Sequence, residues 1–169
     1  MGITALSIGV LLLGGCGGDD GGTNPTLTAQ AAEQPNGAVD ACSLVAPADA
    51  ADAVGGATDP PQSSLIAESF SQCLWRIQGG TELGSLLVVQ ARGDTSTGDF
   101  ERLVEENTPE ALGEVTPIVD LGDKAYQQMA TFVLSGESMV VVTVSNGEAL
   151  DRQQQRQQDL ARAAIDRLP

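Results

Sequence analysis

Hydrophobic and polar residues alternate along residues 73–78 of this chain. Cys73, Trp75 and Ile77 share one side, because successive side chains of a strand point to opposite faces. This side is predicted to face the core. After a glycine-rich turn, residues 86–89 return as an uninterrupted apolar run, which is typical of a strand covered on both faces.

A second strand–turn–strand pattern follows at residues 129–134 and 139–144. Helices are predicted around the two hairpins. The first begins at Pro47, whose missing N–H costs nothing in a first turn, and ends at Gly55. The second covers residues 99–107, where apolar side chains recur at the helical i, i+3, i+4 spacing.

The last helix is predicted over residues 149–168, and its two halves differ in composition. Its first half is rich in glutamine and is predicted to project into solvent. Its second half has one apolar stripe, formed by Leu160, Ala161, Ala164, Ile165 and Leu168. Only this second half is expected to dock against the rest of the domain.

The order helix, hairpin, helix, hairpin, helix predicts an α+β fold. We expect an antiparallel sheet built from two hairpins with helices packed on one face, since this is the simplest way to bury both sets of apolar side chains. A single domain of this kind would cover residues 39–169.

The chain begins with an uncharged apolar segment that ends in Leu13-Gly14-Gly15-Cys16. This segment is shorter than the roughly 20 residues needed to cross a bilayer and has the length of a signal-peptide core. Leu, two small residues and Cys resemble the bacterial lipobox. The resemblance implies a signal peptide at residues 1–15, cleavage between Gly15 and Cys16, and a lipid anchor on Cys16. The alternative is an uncleaved apolar tail.

Residues 16–38 are mostly Gly, Asp, Thr, Asn, Gln and Pro, and they predict a flexible acidic tether with a reach of roughly 25 Å. If Cys16 carries lipid, Cys42 and Cys73 remain as an even pair on the extracytoplasmic face of the cell membrane. A disulfide is the expected state of such a pair in an oxidising compartment. Two buried free thiols are the alternative.

The net charge of −15 and the absence of His exclude non-specific binding to nucleic acid and electrostatic attraction to anionic lipid. Residues 94–123 hold nine acids and one base, a net charge of −8. We expect a partner-binding acidic patch there, for a basic envelope protein. The candidate residues are Asp94, Asp99, Glu101, Glu105, Glu106 and Glu110. A solvated helix face is the alternative.

No catalytic or metal-binding constellation is visible. Without His, a Ser-His or Cys-His pair cannot exist, and zinc lacks its usual ligands. A calcium loop beginning at Asp94 fails, because Gly98 and Asp99 occupy its fifth and sixth positions. We therefore expect no enzyme, no metal and no cofactor, but a binding domain. The alternatives are a carrier of a lipid or other apolar ligand between sheet and helices, and a carboxylate-based hydrolase.

Four short motifs together resemble exported lipoproteins of actinobacteria, in families of unknown function. They are Asp40-Ala41-Cys42-Ser43-Leu44, Cys73-x-Trp75, Leu121-Gly122-Asp123-x-Ala125 and a terminal Ala-Arg-Ala-Ala helix. The resemblance spans roughly residues 40–169. It implies a Cys42–Cys73 bridge in an α+β domain on a lipid anchor, and it implies no activity.

The lipobox generates the first prediction. Expressed with a complete export signal, the protein is expected to enter the detergent phase on Triton X-114 partitioning, because acyl chains carry it there. The Cys16→Ser variant is expected to stay in the aqueous phase. Identical partitioning of the two proteins would contradict a lipid anchor on Cys16.

Overall fold

The structure is a computed structural model that describes residues 38–79 and 84–169. The predicted signal peptide, its cleavage site between Gly15 and Cys16, and the tether up to residue 37 lie outside the described residues. Within the described residues, no helix is both long enough and apolar enough to cross a membrane.

The described chain forms one seven-stranded antiparallel sheet with three α-helices, which confirms the α+β class. The elements, in chain order, are a 3-10 turn (Ala41–Ser43), α1 (Pro47–Val54), β1 (Gln62–Ala67), β2 (Phe70–Arg76), β3 (Leu86–Arg92), α2 (Thr97–Asn107), a second 3-10 turn (Glu110–Leu112), β4 (Thr116–Pro117), β5 (Lys124–Gln127), β6 (Thr131–Ser135), β7 (Ser138–Ser145) and α3 (Leu150–Ile165). The strand order across the sheet is β1-β2-β3-β7-β6-β5-β4.

The sheet consists of two meanders rather than two hairpins. Strands β1 to β3 form the first, strands β4 to β7 form the second, and β3 pairs antiparallel with β7 along the full length of β3. Two hairpins contain four strands, so the prediction was wrong: the sheet has three more, β1, β4 and β5. Strand β1 has six exposed residues and no apolar alternation, and β4 has only two residues, so neither gives a periodic signal.

One face of the sheet, the core face, lies under α1, α3 and the first 3-10 turn. Cys73 and Trp75 are 0% and 1% exposed there, which confirms that they belong to the core. Leu87 and Val89 of β3 lie on the same face and are fully buried. Val88, between them, points to the opposite face and is partly exposed. The expectation that β3 is covered on both faces was therefore wrong.

Helix α2 packs on the opposite face, which we call the second face. Its buried side chains Phe100 and Val104 form a separate apolar cluster with β6 and β7, whose contributions are Phe132, Leu134, Met139 and Val141. The prediction of helices on one face was wrong for this reason. Strands β6 and β7 carry apolar side chains on both faces, so each of their faces requires a cover.

The glutamine-rich half of α3 is docked rather than solvated. Gln157 is 1% exposed. It accepts a hydrogen bond from Gln127 Nε2 at 2.8 Å and donates to the Met129 carbonyl at 3.0 Å. Thr131 Oγ1 donates to Gln127 Oε1 at 2.7 Å. Buried polar groups are tolerated when they are hydrogen-bonded, and this network allows a polar helix face to pack on the sheet.

The sulfurs of Cys42 and Cys73 lie at disulfide distance, with their Cα atoms 4.9 Å apart. The bond ties the first 3-10 turn to β2. Beside it, Ser71 Oγ accepts a hydrogen bond from the Ala41 N–H at 3.0 Å and donates to the Val39 carbonyl. The start of the described chain is thus held to the sheet by covalent and polar contacts.

The disulfide generates the second prediction. It closes a loop with a sequence separation of 31 residues, which stabilises the fold by about 3.5 kcal/mol in the chain-entropy model. The Cys42→Ala/Cys73→Ala variant is expected to melt about 10–15 °C below the wild-type chain in calorimetry. The matched control Cys16→Ala should melt like wild type, and equal melting of all three proteins would contradict the bridge.

Candidate functional site

Helix α2 is held at its start by a compact polar arrangement. Ser96 Oγ caps the helix by accepting a hydrogen bond from the Asp99 N–H at 3.1 Å, and it donates to Asp99 Oδ2 at 2.7 Å. Arg102 Nη2 lies 2.8 Å from Asp99 Oδ1. The Ser96 hydrogen bond, followed by the Arg102 contact, lowers the pKa of Asp99 below its ordinary value of 3.8. The start of α2 is therefore fixed.

A cleft of ≈ 500 Å³ opens between α2, the second 3-10 turn and strand β5. Three carboxylates line it, those of Glu101, Glu105 and Glu110, and its apolar wall includes Val104, Val115 and Tyr126. The remaining lining residues are Thr108 and Pro109. We call this feature the acidic cleft. Glu101 and Glu105 share one side of it because residues four apart lie on the same helix face.

One of the three carboxylates of the acidic cleft is paired within the domain. Lys124 Nζ on β5 donates a hydrogen bond to Glu101 Oε1, which raises the pKa of Lys124. Among the ion pairs of the described residues, none includes Glu105 or Glu110. The cleft therefore keeps a net negative charge.

The structure divides the acidic patch that was predicted from sequence. Glu101, Glu105 and Glu110 come together in the cleft, whereas Asp94, Asp99 and Glu106 do not line it. Asp94 lies in the turn before α2 with a φ of 49°. Asp99 is engaged by the helix cap. Glu106 is exposed on α2, away from the cleft.

The aromatic wall of the acidic cleft was not predicted from the sequence. Tyr126 stacks on Phe100 with ring centroids 5.9 Å apart, so the buried face of α2 holds the ring in place. The sequence offers no periodic signal for this strand, since the two buried positions of residues 124–127 are Ala125 and Gln127. Apolar and polar residues therefore do not alternate there.

The motifs on which the lipoprotein resemblance rests have structural roles. Asp40 Oδ1 accepts a hydrogen bond from the Cys42 N–H at 3.0 Å and caps the first 3-10 turn. Gly122 has a φ of 63°, and a Cβ there would lie 2.5 Å from the Leu134 carbonyl oxygen, so only glycine fits. Asp123 Oδ2 accepts from the Gly136 N–H at 2.7 Å. None of these contacts forms part of the cleft.

The chemistry of the acidic cleft suits the side chain of a lysine or arginine. The carboxylates can pair with its charged head, while the apolar wall can cover its methylene stem. The ring of Tyr126 adds a surface for a cation–π contact. Within the residues that the structure describes, no group of three or more His, Cys, Asp or Glu side chains is placed to hold a metal ion.

Comparisons with protein-family models, with curated proteins and with solved structures found no match to this chain. A functional assignment therefore depends on the geometry and charge of the acidic cleft.

The cap of α2 generates the third prediction. The Ser96→Ala variant loses a helix N-cap and is expected to be less stable at neutral pH by about 1 kcal/mol in urea unfolding. It should also raise the pKa of Asp99 toward the ordinary value in a ¹³C NMR titration. Thr97→Ala, at the exposed neighbouring position, is the control and should change neither quantity appreciably.

The pH dependence of stability gives a second measure of the same prediction. The pKa of Asp99 is lower in the folded chain than in the unfolded chain, so its ionised form stabilises the fold above the unfolded value. This contribution is lost as the pH falls through the folded pKa. The stability gap between wild type and Ser96→Ala should therefore narrow toward pH 2, and a gap that is constant with pH would contradict the role of Asp99.

Proposed function

We propose that the protein is a non-catalytic binding domain of the bacterial cell envelope that recognises a basic protein segment through the acidic cleft. The observation that carries the proposal is the convergence of Glu101, Glu105 and Glu110 around an apolar wall that includes Tyr126. Two of these carboxylates have no internal cation among the described residues. An external lysine or arginine would complete their pairing.

The charge of the whole chain supports the same partner. At −15, the protein creates a negative field that attracts a basic surface before contact and raises its rate of association. The acidic cleft then supplies the short-range contacts. Affinity should come from the few side chains that are buried in the cleft, because a small number of desolvated contacts usually dominates binding.

The envelope location is part of this proposal and is supported by the lipobox resemblance at Cys16. A diacylglycerol anchor would hold the domain at the extracytoplasmic face of the cell membrane, and the predicted tether would keep it clear of the headgroups. The proposed partner is therefore a basic protein of the same compartment. Membrane contact would rest on the lipid, because the acidic domain is repelled by anionic headgroups.

The packing of the core face supports binding at the surface over the carrier alternative. A carrier needs an apolar cavity between sheet and helices. The space under α1 and α3 is occupied by large side chains such as Leu44, Trp75 and Leu87, each at most 1% exposed. No observation among the described residues favours the hydrolase alternative.

The acidic cleft generates the fourth prediction, tested with a fluorescein-labelled Lys/Arg-rich peptide and the full chain in fluorescence anisotropy. Binding is expected to weaken between 50 and 500 mM NaCl, as the screening length falls from roughly 14 to 4 Å. The Glu105→Gln/Glu110→Gln variant should bind about tenfold more weakly, which corresponds to roughly 1.4 kcal/mol. Glu106→Gln/Asp94→Asn, which removes the same two charges outside the cleft, is the matched control.

Two outcomes would contradict the acidic cleft as the binding site. If Glu106→Gln/Asp94→Asn weakens binding as much as Glu105→Gln/Glu110→Gln, the peptide responds to general charge and not to the cleft. If binding is insensitive to salt, and native mass spectrometry detects a lipid that co-purifies with the domain, the carrier alternative replaces this proposal.

A further inference from the structure

Helix α2 covers only half of the second face of the sheet. It lies over β6 and β7, whereas the side chains of β2 and β3 on this face are all partly exposed. Four of them are apolar: Phe70, Leu74, Leu86 and Val88. Phe70, at one end, also packs against the apolar cluster under α2. We call these four residues the open strip. Leu74 and Val88 are paired across the two strands at its centre.

The open strip is more apolar than a solvated sheet face requires. Residues 86–89 have the continuous apolar pattern of a strand buried on both faces, yet only Leu87 and Val89 are buried. Leu86 and Val88 carry the remaining half of the pattern and have no helix over them among the described residues. This is the expected state of a surface that is covered by a partner.

An arginine stands at each end of the open strip. Arg76 is paired with Leu86 at one end, and Arg92 is paired with Phe70 at the other. Neither arginine joins an ion pair of the described residues, although the positive charge of Arg92 helps to lower the pKa of Asp99. Both arginines are partly exposed, which leaves part of each side chain within reach of a partner. A carboxylate from a partner would pair with each charge.

The vacant space has the dimensions of one helix. The midline of β2 and β3 lies two strand spacings, about 10 Å, from the midline of β6 and β7 under α2. Packed helices lie about 8–10 Å apart, so one further helix fits beside α2. A groove of ≈ 400 Å³ at this border is lined partly by Leu103 and Asn107 of α2. Leu103 thus offers an apolar contact to a neighbouring helix.

We propose that the open strip binds an amphipathic helix of a partner protein, with apolar side chains on the strip and acidic side chains at the two arginines. The strip spans six residue steps from Phe70 to Arg76, about 20 Å, which is the length of a helix of about 13 residues. Such a helix would complete the second face in the way that α2 completes its other half.

A second copy of this chain is a poorer occupant of the open strip. The outer surface of α2, which would meet the strip in a face-to-face dimer, includes Arg102, Glu105 and Glu106, all exposed, and offers charge where the strip requires apolar contact. The net charge of −15 also opposes self-association. The proposed surface lies on the opposite flank of α2 from the acidic cleft and selects the opposite charge, so it stands without the proposed function.

The test is a selection from a displayed library of random peptides about 16 residues long, panned on the full chain. The selected peptides are expected to have apolar residues at i, i+3, i+4 and i+7 and to be rich in Asp and Glu. Synthetic copies should bind Val88→Lys and Arg76→Glu/Arg92→Glu at least about tenfold more weakly than wild type in anisotropy. Arg152→Glu/Arg162→Glu, at two exposed arginines of α3, is the charge-matched control for the double variant and should bind normally.

Circular dichroism establishes that each variant is folded, which is expected because the substituted side chains are only partly buried. Several results would overturn the proposal: no enriched peptide, enriched peptides without the helical pattern or with a basic composition, or binding that Val88→Lys leaves unchanged. A wild-type dimer in size-exclusion light scattering that Val88→Lys converts to a monomer would assign the strip to a second copy and would also overturn it.

Discussion

The pairing of β3 with β7 is the interaction on which the rest of the structure depends. It joins two meanders into one sheet in a register that runs from Leu86 opposite Ser145 to Arg92 opposite Met139. Because side chains alternate between faces, a slip of one residue would exchange the buried and exposed sets. The observed register places Val89 beside Val142 under the helices of the core face, and it leaves the second face to α2.

Helix α2 separates two surfaces of the second face, one lined by carboxylates and the other apolar with an arginine at each end. On one flank, Glu101 and Glu105 border the acidic cleft. On the other flank, the open strip runs between Arg76 and Arg92. The helix cap at Ser96 and the apolar contacts of Phe100 fix the helix between them. The two proposals together describe a domain that joins a basic partner and an acidic one.

The sequence predicted those elements that have strong periodic patterns. Helix α2 and strands β2, β3, β6 and β7 were located correctly, and Trp75 was placed in the core. The short or polar strands β1, β4 and β5 were missed. The docking of Gln157 was also missed, because a hydrogen-bond network across the sheet has no periodic signature. Three of the six acidic residues predicted to form a patch line the cleft. Glu101 and Glu105 do so because they share one face of α2, and Glu110 does so because the chain turns after Asn107.

Hydroxyl-radical footprinting of the full chain, read by tandem mass spectrometry, tests most directly the claim that half of the second face is open. Leu86 and Val88 should be oxidised readily, while their neighbours Leu87 and Val89 on the core face should be protected. Equal protection of both pairs would contradict the account, because the second face would then already be covered.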